Sequence, residues 1–195
     1  MRNIFLLFFT LASVMCYAQN SATTDAGVEI NGVRWATRNV DAPGRFAASP
    51  ESAGLSFQWN RRQGWATTGR VEGWNPSGAA GESWERANDP CPQGWRVPTE
   101  AELRSLNNAP SIWTEQDGVN GVLFGTAPNQ IFLPIAGIRG THGALDTPGK
   151  LGYYWSSSSH STARNASWSL RLQQGHISVT RAPRAGGFSV RCVAE

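Results

Sequence analysis

The sequence predicts an α+β domain with more strand than helix, short antiparallel strands, long loops and no internal repeat. Three observations carry this. Short segments of alternating apolar and polar residues recur towards both ends of the chain. A single strongly signalled helix start stands at Thr99. The glycine-, alanine-, serine- and proline-rich stretch from Ala42 to Gly81 follows neither period.

The first residues, MRNIFLLFFTLASVMCYAQNS, hold one basic residue, Arg2, and then an apolar run from Ile4 to Met15. That run is too short to cross a bilayer. Cys16-Tyr17-Ala18 reads as a small-x-small cleavage site, so residues 1–18 are expected to be a signal peptide and the chain to be exported. Lipid attachment at Cys16 would put Met15 where Gly, Ala or Ser normally stands. Residues 19–27 read as a short flexible arm and residues 28–195 as one domain, a length ample for a hydrophobic core.

VEINGVRWATRNV, Val28 to Val40, reads as a hairpin turning at Asn31-Gly32 in a type I′ turn. The Ala42–Gly81 stretch carries Phe46, Phe57, Trp59, Trp65 and Trp74, too many rings for a disordered linker. It reads as ordered loops held on a core by their rings. Thr99 with Glu102 forms a capping box, Ala101, Leu103 and Leu106 give an apolar stripe, and Asn107-Asn108-Ala109-Pro110 ends the helix, placing it near 99–107. GVNGVLFG and QIFLPIAGIRG read as strands and THGALDTPGK as a loop. GYYWSSSS, ASWSLRLQ, HISVTRA and GFSVRCVA read as strands of a final antiparallel meander.

Without Arg2 the chain has 16 basic residues against 14 acidic, a net charge of +2, and Lys150 is the one lysine. The charges are scattered, with no basic run of the kind that marks a nucleic-acid surface. No nucleic-acid partner is expected, and the mature chain has no transmembrane segment.

Cys91 and Cys192 remain after cleavage. In an oxidising compartment a lone pair is most simply one disulfide. A Cys91 nucleophile would want a histidine near it and would leave Cys192 unexplained; His142, His160 and His176 show no recognisable spacing. A metal ligand is the third alternative. The chain has no HExxH, no paired CxxC, no phosphate-cradling glycine loop and no EF-hand spacing, so no cofactor is expected. Asp117 and Asp146 stand alone in loops. The WSSSSHS run, Trp155 to Ser161, lacks the elbow and partners of a serine nucleophile, and its serines can satisfy backbone groups at a strand end.

Nine tryptophans admit two readings: flat faces for stacking sugars, or large rings that hold loops in a fold with few long helices. Trp65 and Trp74, in glycine-rich loops, are the candidates for the first.

The blocks INGVRWATRNV, FQWNR, DPCPQGWRVPTEAELRSL, FLPIAGIRG, GYYWSSS and SVRCV run in this order from Val28 to Val193. Together they resemble the Fibrobacter succinogenes major paralogous (FISUMP) domain family. The resemblance implies an exported protein of Bacteroidetes-type bacteria with a C-type-lectin-like fold, related to that of formylglycine-generating enzymes. That fold pairs its N- and C-terminal strands and commonly ties its first helix to its last strand by a disulfide, where Cys91 and Cys192 fall. It also implies a ligand surface on Arg139 to Lys150 with Trp155 beside it. Arg139, His142, Asp146 and Trp155 therefore join Trp65 and Trp74 as candidate ligand-binding residues.

The Glu-Pro-Asn, Gln-Pro-Asp and Trp-Asn-Asp motifs of calcium-dependent lectins are absent, and no copper-binding cysteine pair can be placed. Neither activity carries over with the fold. The expectation is a non-enzymatic binding module of the cell surface or periplasm, with a glycan or a surface protein as partner. The rivals are a structural subunit of a surface appendage and an enzyme built on His142 and Asp146.

Overall fold

The computed structural model describes residues 22–195, and the expected leader lies outside them. The chain folds into short antiparallel strands with a two-turn helix. The Asn31-Gly32 turn joins β1 (Val28–Ile30) to β2 (Val33–Ala42), with φ of 50° and 77° at its two residues. Both are positive, as a type I′ turn requires. The stretch expected to be loops contains β3 (Arg45–Phe46), which folds back on β2, and a hairpin of β4 (Ser56–Gln58) and β5 (Gly64–Trp65). Strand β6 (Trp95–Arg96) leads into α1 (Glu100–Asn107).

Beyond the helix, β7 (Ser111–Gln116), β8 (Val119–Thr126) and β9 (Asn129–Pro134) form a meander, with Asp117-Gly118 turning its first hairpin. Strand β7 has no counterpart among the predicted strands. THGALDTPGK is not all loop: β11 (Leu145–Asp146) pairs back on β10 (Ile138–Arg139). Strands β12 (Leu151–Ser159), β13 (Ala166–Gln173) and β14 (His176–Pro183) make the second meander.

The last predicted strand does not join that meander. It divides into β15 (Gly187–Phe188), between β10 and β4, and β16 (Arg191–Ala194), between β2 and β6. The two halves serve different sheets. The chain's end therefore runs through the middle of the molecule, where all residues from Gly187 to Val193 are buried.

The helix forms because its first turn satisfies itself. The Glu102 amide donates to Thr99 Oγ1 at 3.3 Å, and the Thr99 amide donates to Glu102 Oε2 at 2.7 Å. Arg96 adds a bidentate pair to the same carboxylate at 2.8 and 2.6 Å. Burial pushes the Glu102 carboxyl up, but these donors together hold it below its ordinary value. Leu103 and Leu106 then face the core with Trp35, Phe124, Tyr154 and Leu170.

A second cluster gathers Phe46, Phe57, Trp59, Trp84, Trp95, Trp155 and Phe188 around the disulfide. Cys91 and Cys192 are bonded, with Cα atoms 6.1 Å apart. Asp89 organises the approach to that bond: its carboxylate accepts the amides of Cys91 at 2.8 Å and Val97 at 3.0 Å. Burial nonetheless raises its pKa.

Within the stretch expected to be an arm, Asp25 is held in place. It accepts from the amides of Gly27 and Thr37, from Thr37 Oγ1, and from Arg38 Nε at 3.2 Å. No helix among the described residues is long and apolar enough to cross a membrane.

Candidate functional site

The long loop after β5 wraps one end of the molecule, and donors from distant elements fix its path. Arg139, at the end of β10, is fully buried. Its Nε donates to the carbonyl of Ala66 at 2.7 Å, its Nη2 to those of Thr68 and Gly69, and its Nη1 to that of Gly143. One guanidinium thus ties the loop to the β10–β11 hairpin. Further along, Gln58 donates to Asn75, Arg61 to Ser77, Asn60 to Ala80, and Arg184 to Ala79 and Gly81, each time to the main-chain carbonyl. A loop so rich in glycine lacks a conformational preference of its own, so these contacts set its shape.

Trp65 ends β5 and Trp74 lies on this loop, both half-buried, with ring centroids 5.2 Å apart and planes tilted by 47°. Trp74 donates its indole N–H to the Thr141 carbonyl at 2.9 Å. Its ring rests on Gly143, where a Cβ would stand 2.7 Å from it and where φ is +81°. Only glycine meets both demands. A depression of about 580 Å³ opens between Gly69–Val71 and His142–Leu145, with Arg70 and His142 exposed on its walls and Arg139 within.

The structure therefore brings Trp65, Trp74, Arg139 and His142 to one end of the fold, but in different roles. Arg139 reads from the sequence as a ligand contact; all its nitrogens are spent on carbonyls, so it is a strut. His142 is exposed in the hairpin turn and Asp146 is exposed on β11. No hydrogen bond or ion pair joins these two among the described residues. Trp155 is corrected outright. It is fully buried, its ring centroid lies 4.3 Å from that of Phe188, and its indole N–H donates to the Phe57 carbonyl at 2.7 Å. It belongs to the core.

The serines after Trp155 do satisfy backbone groups. Ser156 Oγ donates to the Trp168 carbonyl, and Ser158 Oγ accepts the Glu100 amide at the helix start. Of the nine tryptophans, Trp35, Trp59, Trp84, Trp95 and Trp155 are buried, which favours the packing role for most of them.

Sequence reasoning misses Trp168 and Arg184. Trp168 is half-buried on the strand face that packs the helix, with the His160 ring 4.6 Å away and the Arg104 guanidinium 5.1 Å above it. The signal for Arg184 is compositional. Arginine nearly to the exclusion of lysine suits a fold that needs several donors from one side chain.

No curated protein matches this chain, and no solved structure does. The family model of the Lcl C-terminal domain matches residues 30–194, from the end of β1 through β16. The chain belongs to the Lcl C-terminal domain family.

Proposed function

We propose that this is an exported, non-enzymatic binding module of the bacterial surface or periplasm, and that its ligand is a glycan. The observation that carries this is the Trp65–Trp74 pair: two half-buried rings, one ending β5 and one on the pinned loop that follows it, beside an open depression lined by Arg70 and His142. Tryptophan faces suit the apolar faces of sugars, and a loop held before binding loses little freedom on binding. A surface protein as ligand is the neighbouring reading. The displaced carboxyl groups of Asp89 and Glu102 serve backbone amides and Arg96 rather than converging on a cleft.

The finer family reading, FISUMP with a C-type-lectin-like fold, belongs to this proposal. Its supports are the pairing of β2 with β16, which joins the two ends of the domain, and a disulfide from the segment before the helix to the last strand.

A glycan and polysaccharide array on residues 19–195, in calcium and again in EDTA, tests the proposal. Binding is expected to survive EDTA, and the double variant Trp65→Ala/Trp74→Ala is expected to lose about tenfold or more in affinity with its fold intact. Binding abolished by EDTA overturns the calcium-free reading. Silence in both conditions overturns the glycan.

A further inference from the structure

Strand β7 stands at the free edge of the β7-β8-β9 meander. Two hydrogen bonds fix which of its backbone groups are free. The Gly125 amide donates to the Pro110 carbonyl at 2.8 Å, so Pro110 turns towards β8, and with it Ile112, Thr114 and Gln116. The Ile135 amide donates to the Asn120 carbonyl, also at 2.8 Å, so Asn120 turns towards β9. Glu115, which stands opposite Asn120, therefore turns away from β8. The N–H and C=O groups of Ser111, Trp113 and Glu115 thus point past the edge of the sheet. None of them has a partner among the described residues.

Sheet edges are ordinarily blunted by prolines, charges, bulges or shortness. Of the other edges, β1 has three residues, and β14 carries Arg181 and ends on Pro183. Strand β7 runs for six residues in unbroken register with β8, and it holds no basic residue and no proline. Trp113 packs towards the first core cluster, so Ile112 stands on the opposite face. At 60% exposure Ile112 is the one large apolar side chain left open to solvent among the described residues. It ends a row across that face, with Leu123 half-buried beside it and Phe132 buried beyond.

We infer that this edge pairs with the β7 edge of a second copy of the chain in a two-fold antiparallel strand pair. Within the strand, only the register centred on Trp113 uses all the outward groups of both copies. Trp113 then faces Trp113, and Ser111 of each copy faces Glu115 of the other, through about six hydrogen bonds in all. Ile112 of each copy lies across from Thr114 of the other and diagonal to the other Ile112, so the apolar row continues over the junction. Glu115 is the one charge on the strand, and this register sets it against a serine, with no like charges opposed. A two-fold pair closes on itself instead of growing. A foreign peptide has to be ordered as it binds, whereas the second β7 is already an extended strand held by β8. A six-residue edge buries less than a standard interface of about 1,600 Å², so the dimer is weak, with a Kd of about 100 µM.

Sedimentation velocity on the mature chain from about 20 µM to about 1 mM tests this, with amide NMR of the labelled chain over the same range. The sedimentation coefficient is expected to rise to that of a dimer. The amides of Ser111, Trp113 and Glu115 should shift and gain exchange protection with concentration, while those of Ile112, Thr114 and Gln116, already bonded to β8, keep theirs. Ile112→Lys, at an exposed position, should weaken the dimer about tenfold at unchanged melting temperature. Ser111→Glu sets two carboxylates opposite each other and should weaken it about threefold; Ser111→Lys sets a cation against Glu115 and should tighten it by about as much. A chain still monomeric at about 1 mM, or a species that grows beyond the dimer, would overturn the assignment. So would a dimer in which the outward amides do not respond, or Ser111→Glu and Ser111→Lys acting in the same direction.

Discussion

Arg139 Nε donates to the carbonyl of Ala66 at 2.7 Å across 73 residues of sequence. The same guanidinium holds Thr68, Gly69 and Gly143. No carboxylate is bonded to it among the described residues, and burial lowers its pKa. Carbonyl dipoles thus carry the whole task of solvating this cation.

Replacing Arg139 should accordingly release the loop. Arg139→Met leaves four carbonyls without their donor, a cost of about 2–4 kcal/mol in global stability. Arg139→Lys keeps the charge, but its ammonium cannot span acceptors set around a planar fork, and it should recover less than half of the loss. Denaturant melts measure both, and hydrogen exchange at Thr67 to Arg70 should accelerate in both. Exchange there that matches the unaltered protein would refute the strut.

The disulfide joins residues 101 apart in sequence. The chain-entropy account assigns such a loop about 4–5 kcal/mol. Reduction, or the pair Cys91→Ala/Cys192→Ala, should lower the melting temperature by on the order of 10 °C for a domain of this size. Thiol labelling of the native protein should be silent until reductant is added. Ready labelling of Cys91 without reductant would contradict the bond.

How much of this is legible in the sequence depends on how local each signal is. The Asn31-Gly32 turn, the Thr99–Glu102 box and the period-two strands from Ala166 to Pro183 are written in adjacent residues, and the structure has them. The loop after β5 is different. Its path is set by Gln58, Arg139 and Arg184, which lie outside it, and nothing between Ala66 and Gly81 announces them. Arg139 becomes a candidate contact only through the ligand surface that the family resemblance implies; nothing in its neighbouring residues tells whether the side chain turns outwards or into a nest of carbonyls. Trp155 is misplaced because it is carried over with the ligand surface that the family resemblance implies; the serines after it, read as satisfying backbone groups, do so.

The helix start should show a dependence on acid. Glu102 accepts from Arg96, from the Thr99 amide and from Thr99 Oγ1, and its pKa is held below the ordinary 4.5. A carboxyl with a depressed folded-state pKa contributes stability that is present above its unfolded pKa and is lost as pH falls through the folded one. Glu102→Gln should therefore be less stable than the parent at pH 7, and the gap should narrow as pH drops below about 4. Thr99→Ala should cost about 1 kcal/mol by loss of the cap. A Glu102→Gln gap that is constant from pH 7 to about 2.5 would show that the ionised carboxylate contributes nothing.

At the alkaline end the controlling group is Tyr154. It is fully enclosed between the two ends of the domain, its hydroxyl donating to the Pro134 carbonyl at 2.7 Å and accepting from Asn39 Nδ2 at 3.4 Å. Arg191 lies nearby, bonded through Nε to Asn39 and through Nη2 to the Phe132 carbonyl. Burial pushes the phenol up to about 12, and the Arg191 charge only partly offsets it. The folded state therefore keeps a proton that the unfolded chain gives up near 10, so stability falls as pH rises through that interval. The displacement corresponds to about 2–3 kcal/mol once both values are passed. Urea melts from pH 8 to about 11.5 should show this decline. In Tyr154→Phe, neutral-pH stability should drop by about 1 kcal/mol for the lost hydroxyl bonds. The decline above pH 10 should flatten at the same time, because the group responsible is gone. Tyr153 keeps its hydroxyl in that variant, so a decline that persists unchanged would assign the alkaline sensitivity to other groups and leave Tyr154 with a packing role alone.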